Sequence, residues 1–300
     1  MTPGLHPGIA ADVYHADKMV DAPTLSCGIA KILLRDSPRK AWHCHPRLNP
    51  NHHESSAEKF DLGRSAHAVL LENDASKIAV FDPKDYPGKK GGIPDGWTND
   101  AIREARDKAR AEGKTPLLKH NYDEVREMVD AALAFIEDSA IADEWHAGQS
   151  EVTGLWCEGN GKTPVWMRCR FDRISLPHRT ILDYKTTDAS VSPEPFSRFL
   201  VRMDYHIQEA FYRRGARAQG IDDPRFVFLA QSCEPPYECS LHACDTALQE
   251  IADLEVERAI KAWRFHLTTK SWPSYGGRIH FAIPSNFLMN EHEMRLAEAA

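Results

Sequence analysis

Two consecutive strand-like segments that each carry an aspartate constrain the fold of this chain more than any other feature. Residues 165–172 alternate between apolar and polar side chains, and the segment 179–186 follows after a short turn. Side chains at positions i and i+2 of a strand point to the same face, so Asp183 and Lys185 project together. If the two strands pair antiparallel, Asp172 and Asp183 can meet at one point, with the lysine ammonium beside them.

Two carboxylates at one point repel each other unless a cation lies between them. Oxygen ligands favour a hard divalent ion such as Mg²⁺, which keeps several waters and binds substrate phosphates. Such an ion lowers the pKa of a bound water, and a neighbouring lysine can orient that water and neutralise developing charge. The pair therefore suggests metal-assisted hydrolysis of a phosphodiester. An ordinary cross-strand Asp–Lys ion pair is the alternative explanation, because D-x-K alone is common.

Three further segments supply residue types that the same chemistry uses. The first has helical spacing and places Gly63 and His67 on one face, where small residues allow close packing on a sheet. The second is a short strand around Glu151. In the third, a helix, Gln208 and Tyr212 lie four residues apart and share a face. Each of these residues alone also has a purely structural explanation. Their order along the chain indicates the chemistry more specifically than any one of them does.

In this order the residues resemble the PD-(D/E)XK nuclease superfamily, in the branch of RecB-type nuclease domains. The closer resemblance is to the RecE-type exonucleases (exonuclease VIII) and their phage-borne relatives, and it covers roughly residues 8–285. It implies an α/β (α+β) fold in which helices flank a central mixed β-sheet. The core is expected to be restriction-endonuclease-like, with an N-terminal helical extension.

The resemblance also implies roles for single residues. The metal ligands are expected to be His67, Asp172, Asp183 and the backbone carbonyl of Tyr184. The expected catalytic residues are Lys185, Asp183, Asp172, Glu151, Gln208 and Tyr212. The expected DNA-binding residues are Gln208 and Tyr212, together with Arg64 of the Gly63–His67 motif. Clustering of basic residues near the N-terminus, not the resemblance, adds Lys31, Arg35 and Arg39 to this set. Mg²⁺ is the expected cofactor, and Mn²⁺ should substitute because a histidine ligand makes the site less purely hard.

The activity that the resemblance implies is a metal-dependent exodeoxyribonuclease acting on double-stranded DNA ends. Family behaviour further implies 5′→3′ resection for recombination, a RecT-type single-strand annealing partner, and a ring-shaped homo-oligomer (a trimer or tetramer). The alternatives are another nuclease activity of the superfamily, on single strands or on particular structures, and RNA processing. A non-catalytic module that binds DNA ends is the remaining alternative.

Length and composition agree with one nuclease domain over residues 1–300, divided into a helical extension (1–55), a catalytic core (56–270) and a C-terminal segment (271–300). Hydrophobic residues make up 42% and charged residues 27%, as in an ordinary soluble globule. The chain has no apolar run of about eighteen residues and no secretory pattern at its beginning. We therefore expect a cytoplasmic protein, and the family resemblance implies a bacterium or a phage-infected cell as its host.

Seven cysteines also suit a reducing compartment. Cys233, Cys239 and Cys244 lack the tight C-x-x-C spacing, so no iron–sulfur cluster is expected. The histidine-rich stretch from His43 to His53 could bind zinc, but its Pro- and Asn-rich surroundings favour a solvated loop.

The net charge of −7 conflicts with nucleic-acid binding unless the cations cluster. One basic group spans residues 84–119, and a second group spans residues 31–47. The first group has an alternative explanation as exposed helix charges paired with neighbouring acids.

Apolar periodicity predicts helices at 25–35, 37–43, 56–73, 98–112, 121–138, 192–219, 245–268 and 288–299. Strands are predicted at 150–157, 164–174, 179–186, 225–232 and 237–242, with a long loop at 82–96.

Overall fold

The computed structural model of the chain describes residues 1–52, 61–72, 74–88, 91–159 and 163–298. Its strands are β1 (Gly4–His6), β2 (Leu25–Ser26), β3 (Ile78–Phe81), β4 (Thr115–Leu118), β5 (Gln149–Glu158), β6 (Val165–Ser175), β7 (Thr180–Thr187), β8 (Arg225–Ser232) and β9 (Cys239–His242). Its helices are α1 (Ala11–His15), α2 (Cys27–Arg35), α3 (Pro38–Cys44), α4 (Asp61–Glu72), α5 (Asp100–Ala111), α6 (Lys119–Glu137), α7 (Ala142–His146), α8 (Pro193–Arg202), α9 (Tyr205–Ala218), α10 (Thr246–Thr269) and α11 (Asn286–Glu298).

The central sheet is mixed, as expected, and has the strand order β1-β5-β6-β7-β8-β9, with β2 paired to β6. Strands β5, β6 and β7 form an antiparallel meander, whereas β7 and β8 are parallel and are joined through α8 and α9. Strand β6 pairs with β7 in a register that places Arg173 opposite Leu182. One step further along the ladder, Asp172 lies next to Asp183, so the strands have the antiparallel pairing that a meeting of the two aspartates requires.

Helices cover both faces of this sheet. On one face the core contains Phe171, Phe211 and Trp263, from β6, α9 and α10. On the other face Leu182 of β7 packs with Met128 of α6 and with residues of α4. Each large apolar side chain removed from water stabilises the fold by about 1.5–3 kcal/mol. The carboxylate-bearing strands are therefore fixed from both sides.

The predicted single helix over residues 192–219 is wrong, because the chain turns between α8 and α9. Asp204 adopts a left-handed backbone conformation with φ of 55°. Arg35 of α2 donates two hydrogen bonds to Asp204 Oδ1, at 3.0 and 2.8 Å, and so holds this turn. The turn places Tyr205 and Gln208 in the first turn of α9, where both face the end of β7.

Two strands were missed in the region between residues 73 and 118. Strands β3 and β4 pair in parallel beside α4 and α6, and they are too short to show a clear alternation. The beginning of the predicted helix 56–73 lies outside the described residues. Within the described parts of the chain, every helix is too short or too polar to span a lipid bilayer. The division of the chain at residues 55 and 270 stays a prediction.

Candidate metal and nuclease site

The side chains of His67, Glu151 and Asp172 come together from α4, β5 and β6. His67 Nε2 lies 3.3 Å from Asp172 Oδ2, and His67 Nδ1 lies 3.7 Å from Glu151 Oε1. One ligand atom from each of the three residues falls within 4.8 Å of the other two. An imidazole and two carboxylates at these separations form a set that can bind a divalent cation.

Close packing of α4 on β7 places the imidazole. A Cβ atom built on Gly63 would lie 2.6 Å from Thr186 Oγ1, closer than real Cβ atoms come to a neighbour. With the Thr186 hydroxyl in this position, only glycine lets the helix come this near to the strand. His67 follows one helical turn later, next to Ala66, which is fully buried against the sheet. The small residues of the Gly63–His67 motif thus place the His67 imidazole next to the carboxylates of β5 and β6.

Glu151 reaches the site from an irregular point in β5. Its neighbours pair regularly with β6, Ser150 with Arg173 and Val152 with Phe171, which leaves Glu151 across from Asp172. Its φ is 58°, a left-handed conformation that costs a non-glycine residue about 1–3 kcal/mol. Strand pairing on both sides holds this conformation, which turns the Glu151 carboxylate towards His67.

Asp183 and Lys185 form the second half of the site, on β7. The Lys185 ammonium makes an ion pair with Asp183 Oδ1, and Gln208 Nε2 donates a 2.6 Å hydrogen bond to Asp183 Oδ2. The same ammonium lies 5.2 Å from the centre of the Tyr205 ring, within the range of a cation–π contact. Asp172 joins the two halves, because its Oδ2 accepts a 3.0 Å hydrogen bond from the Tyr184 backbone N–H.

Burial and mutual charge shift the pKa values of the acids in different directions. Burial raises the pKa of Asp183 to about 6, and Asp172 adds to this, although Lys185 opposes it. Burial also raises the pKa of Glu151. Burial acts to raise the pKa of Asp172 too, but His67 and Lys185 outweigh it and hold this pKa below its ordinary value. Divergent pKa values among neighbouring carboxyls are typical of functional sites.

The side chains of Lys185 and His67 hold their protons more firmly than usual. Burial acts to lower the pKa of Lys185, but the carboxylates of Asp183 and Asp172 outweigh it and raise this pKa. Burial likewise acts to lower the pKa of His67, and Asp172 together with Glu151 raises it. The Lys185 side chain is therefore an ammonium at neutral pH, which donates hydrogen bonds and neutralises negative charge.

The residues present fit a divalent metal. Glu151 Oε1 is buried and has no hydrogen-bond partner among the described residues, although it lies beside His67. A buried carboxylate oxygen without a donor is destabilising unless a cation satisfies it. The three-residue set includes two of the predicted ligands, His67 and Asp172. Asp183 is held by Lys185 and Gln208, and the Tyr184 carbonyl stays a predicted ligand.

The remaining predicted residues differ in how close they lie to the site. Arg64 and Tyr212 line the same cavity of about 430 Å³ as His67, and the Tyr212 ring packs edge-on against Phe171. Lys31 also lies near, because its ammonium is 5.4 Å from the Tyr205 ring that contacts Lys185.

The other two predicted DNA-binding cations have different surroundings. Arg35 is bound to the carboxylates of Asp204 and Glu255. Arg39 is exposed on α3, where its backbone N–H donates to the Pro273 carbonyl. None of these contacts involves a residue of the metal set, and the DNA-binding role of both arginines stays a prediction.

Sequence reasoning did not assign Arg170 and Tyr205 to the site. The Arg170 guanidinium makes an ion pair with Glu151 and donates a 2.8 Å hydrogen bond to the Ile9 carbonyl. Alternation along β6 places Arg170 on the face of Asp172, and this was the available signal. Tyr205 carried no comparable signal, because its position depends on the turn between α8 and α9.

The histidine-rich stretch is not a solvated loop throughout. His45 is fully buried. Its Nε2 donates to the Thr24 carbonyl at 3.1 Å, and its Nδ1 accepts from the backbone N–H groups of Arg47 and Leu48. Both ring nitrogens are thus engaged in structural hydrogen bonds, and burial lowers the pKa of His45 to about 4. His53 lies outside the described residues.

Comparisons with solved structures concern the fold of the chain. A crystal structure named “Putative exonuclease” from Eubacterium rectale superposes with a TM-score of 0.56 at 14% identity, covering 92% of this chain and 96% of that one. A crystal structure of SSO0001 is less similar, with a TM-score of 0.28 at 12% identity over 70% of this chain and 88% of that one. None of the curated proteins matches the chain.

A family model provides the strongest comparison. It is described as “PDDEXK-like domain of unknown function (DUF3799)”, and it matches residues 38–283. The matched range contains the whole of the site described above, from His67 to Tyr212. The superfamily and the fold that the sequence predicted are therefore confirmed, and the chain belongs to this family of PDDEXK-like domains.

Proposed function

We propose that this protein is a divalent-metal-dependent exodeoxyribonuclease that hydrolyses phosphodiester bonds at double-stranded DNA ends. The observation that carries the proposal is the convergence of His67, Glu151 and Asp172 beside the Lys185–Asp183 pair. Membership of a PDDEXK-like family and the fold shared with a structure named as an exonuclease support a nuclease. The preference for duplex ends and the 5′→3′ polarity rest on the sequence resemblance.

The residues of the site have different roles in such a reaction. His67, Glu151 and Asp172 would hold the metal, which when bound supplies an acidified water and neutralises phosphate charge. Lys185 lies beside this set as a cation, placed to orient the attacking water and to neutralise charge on the phosphoryl oxygens. Gln208 fixes Asp183 by its 2.6 Å hydrogen bond, and Asp183 in turn fixes the lysine ammonium.

We also propose Mg²⁺ as the natural metal, with Mn²⁺ as a substitute. Two carboxylates favour a hard ion, and the imidazole widens the choice towards Mn²⁺. On the sequence resemblance, the protein would act as a homo-oligomer in the cytoplasm, and a RecT-type annealing protein would bind the resected strand. Lys31 is a proposed DNA contact close to Lys185, since both ammonium groups lie against the Tyr205 ring.

The direct test is digestion of an end-labelled linear duplex, with EDTA, Mg²⁺ or Mn²⁺, by the wild type and by Lys185→Ala. We expect metal-dependent release of nucleotides by the wild type and a loss of at least about 100-fold for the variant, because a preorganised charge contact is removed. Lys261→Ala is the matched control, since this exposed lysine pairs with Glu257 on α10. Full turnover by Lys185→Ala would remove the lysine from the mechanism.

The choice of substrate separates the exonuclease from its alternatives. Nicked circular duplex, single-stranded DNA and RNA are compared with the linear duplex at equal concentration. Faster cleavage of a single strand or a closed circle would replace the proposed specificity by another nuclease activity. Metal-independent binding of ends with no cleavage of any substrate would identify a non-catalytic DNA-binding module.

A further inference from the structure

The ring of Tyr205 lies close to two lysines that come from different elements. The Lys185 ammonium of β7 lies 5.2 Å from the ring centre, and the Lys31 ammonium of α2 lies 5.4 Å from it. Both distances are within the range of about 6 Å in which an aromatic ring attracts a cation. One aromatic side chain thus contacts both the proposed catalytic lysine and a second cation.

An aromatic cluster holds the Tyr205 ring. The ring stacks on Phe228 of β8, with ring centres 5.7 Å apart and an angle of 24° between the planes. It also meets Phe199 of α8 nearly edge-on, with ring centres 6.0 Å apart. Phe228 is fully buried in the core, and Phe196 packs against Phe199 in turn. Since both arrangements are favourable for aromatic pairs, the Tyr205 ring is a fixed point for the cations beside it.

Helix α2 holds the backbone that carries this ring. Tyr205 follows Asp204, the left-handed residue of the turn between α8 and α9, and Arg35 makes an ion pair with the Asp204 carboxylate. Lys31 lies one helical turn before Arg35 and donates a 3.3 Å hydrogen bond to the Met203 carbonyl. Residues four apart share a helix face, so one face of α2 fixes two successive residues of the turn. The position of the ring is therefore set by its backbone as well as by its packing.

Lys185 needs more than one contact to be held in place. A lysine ammonium is a compact charge on a flexible four-carbon stem, so a single ion pair fixes its distance from the partner and leaves its direction open. Asp183 supplies the ion pair, and the Tyr205 ring supplies a second point of attachment. The Lys185 side chain is only 18% exposed, and a cation–π contact is stronger where water is excluded.

The first turn of α9 supplies both supports of this lysine. Tyr205 contacts the ammonium itself, and Gln208 donates the 2.6 Å hydrogen bond that fixes the Asp183 carboxylate. The two residues lie three positions apart and therefore point to the same side of the helix. A shift of this turn would release the carboxylate and the ammonium together.

We propose that Tyr205 is a positioning residue of the nuclease, whose ring holds the Lys185 ammonium in the place from which the lysine acts. This inference rests on the proposed function of Lys185. Tyr205 acts on the reaction only through that lysine, so its removal lowers the rate of the chemical step. Both lysines keep their charge when the ring is removed, so the affinity for DNA changes little.

The first test is a nuclear magnetic resonance measurement on the full chain, isotopically labelled at the lysine ε-carbon. The ring current of Tyr205 should shift the ε-proton signals of Lys185 and Lys31 upfield, and Lys185→Ala and Lys31→Ala assign them. Tyr205→Leu should abolish both shifts, and Tyr205→Phe should keep them, because phenylalanine retains the ring. The signal of Lys261, which pairs with Glu257 on α10, should stay unchanged. A Lys185 signal that Tyr205→Leu leaves in place would overturn the proposal.

The second test measures the rate of a single turnover at saturating linear duplex and metal. Tyr205→Leu should lower this rate roughly 10- to 30-fold, the equivalent of one desolvated cation–π contact, and Tyr205→Phe should recover most of the loss. The Kd for duplex DNA without metal should change less than about threefold. In the Lys185→Ala background Tyr205→Leu should cause no further loss, because its effect passes through the lysine. An equal fractional loss in both backgrounds would contradict the proposed role.

Phe199→Leu is the matched control for packing. Phe199 belongs to the same aromatic cluster, and its cationic partner is Arg202, 5.2 Å from the ring centre. This variant should lose thermal stability as Tyr205→Leu does and keep the wild-type rate and the wild-type lysine signals. If Phe199→Leu lowers the rate equally, the cluster acts through stability and Tyr205 does not position the lysine. If the wild type cleaves no DNA, the proposed function fails, whereas the lysine signals still report whether the ring holds Lys185.

Discussion

Replacing Gly63 by alanine tests whether close helix packing places the imidazole of the site. The new Cβ atom would lie 2.6 Å from Thr186 Oγ1, whereas ordinary contacts begin at 3.4 Å. Unless the Thr186 hydroxyl rotates away, helix α4 must move from β7 by about 0.8 Å, the difference between 3.4 and 2.6 Å. His67 follows one turn later on the same helix, and its 3.3 Å approach to Asp172 Oδ2 will lengthen.

The expected effect on function is larger than the effect on stability. Overpacking at a tight contact costs about 1–3 kcal/mol, but alanine is the better helix former by about 1 kcal/mol. The net loss in free energy of unfolding is thus about 0–2 kcal/mol. A displacement near 1 Å at a reacting centre costs roughly 100-fold in rate. We expect Gly63→Ala to lower kcat/KM by about 10- to 100-fold and to weaken Mn²⁺ binding.

A second substitution, at Thr186, tests the same contact from β7. Thr186→Ala removes the Oγ1 atom and leaves a Cβ that lies 3.9 Å from the position of the new methyl group. The double variant should therefore recover most of the activity and Mn²⁺ affinity that Gly63→Ala loses. Gly28→Ala is the matched control, because its Cβ meets nothing within 4 Å. Calorimetric Mn²⁺ titration and duplex digestion are the assays; a fully active Gly63→Ala protein would refute the packing argument.

Two further predictions concern the metal set and the buried histidine. Glu151→Gln should reduce the thermal stabilisation by Mn²⁺ at least by half in a melting assay, since it removes one of three ligands; equal shifts in both proteins would exclude Glu151 as a ligand. His45, with its pKa lowered to about 4 by burial, is neutral when folded and takes up a proton when unfolded. The contribution of neutral His45 to the free energy of unfolding is fully present above about pH 6.5. It decreases as the pH falls towards 4, with a total loss of about 2–3 kcal/mol. Urea unfolding at several pH values should show that the free energy of unfolding of His45→Gln falls less steeply with decreasing pH than that of the wild type. The same pH dependence in both proteins would contradict this.

Period-two alternation predicted the half of the site that lies on paired strands. Asp172 and Lys185 could be placed because the side chains of adjacent strands fix one another in register. The Gly63–His67 spacing predicted a helix packed closely on the sheet, and the structure shows this contact with Thr186. These features are local or depend on one strand pairing, so the sequence contains enough information to place them.

Contacts made by irregular backbone could not be predicted in this way. Glu151 reaches His67 through a left-handed residue within β5, which no alternation pattern signals. Tyr205 faces Lys185 only because the chain turns at Asp204, and that turn is held by Arg35, distant in sequence. Arg35 was assigned to DNA by its place in a basic group, whereas its guanidinium is bound to two carboxylates of the protein itself.

The distribution of charge explains how three acids coexist in a buried site of an acidic protein. Each carboxylate has a different basic partner: Glu151 pairs with Arg170, Asp172 with His67 and Asp183 with Lys185. Burying any of these acids without its partner would cost several kcal/mol. Because every pair is nearly neutral, the fold tolerates the cluster although the whole chain has a net charge of −7. A metal ion held by His67, Glu151 and Asp172 would supply a further positive charge beside these carboxylates, and Lys185 and Arg170 would be the cations available to the phosphate.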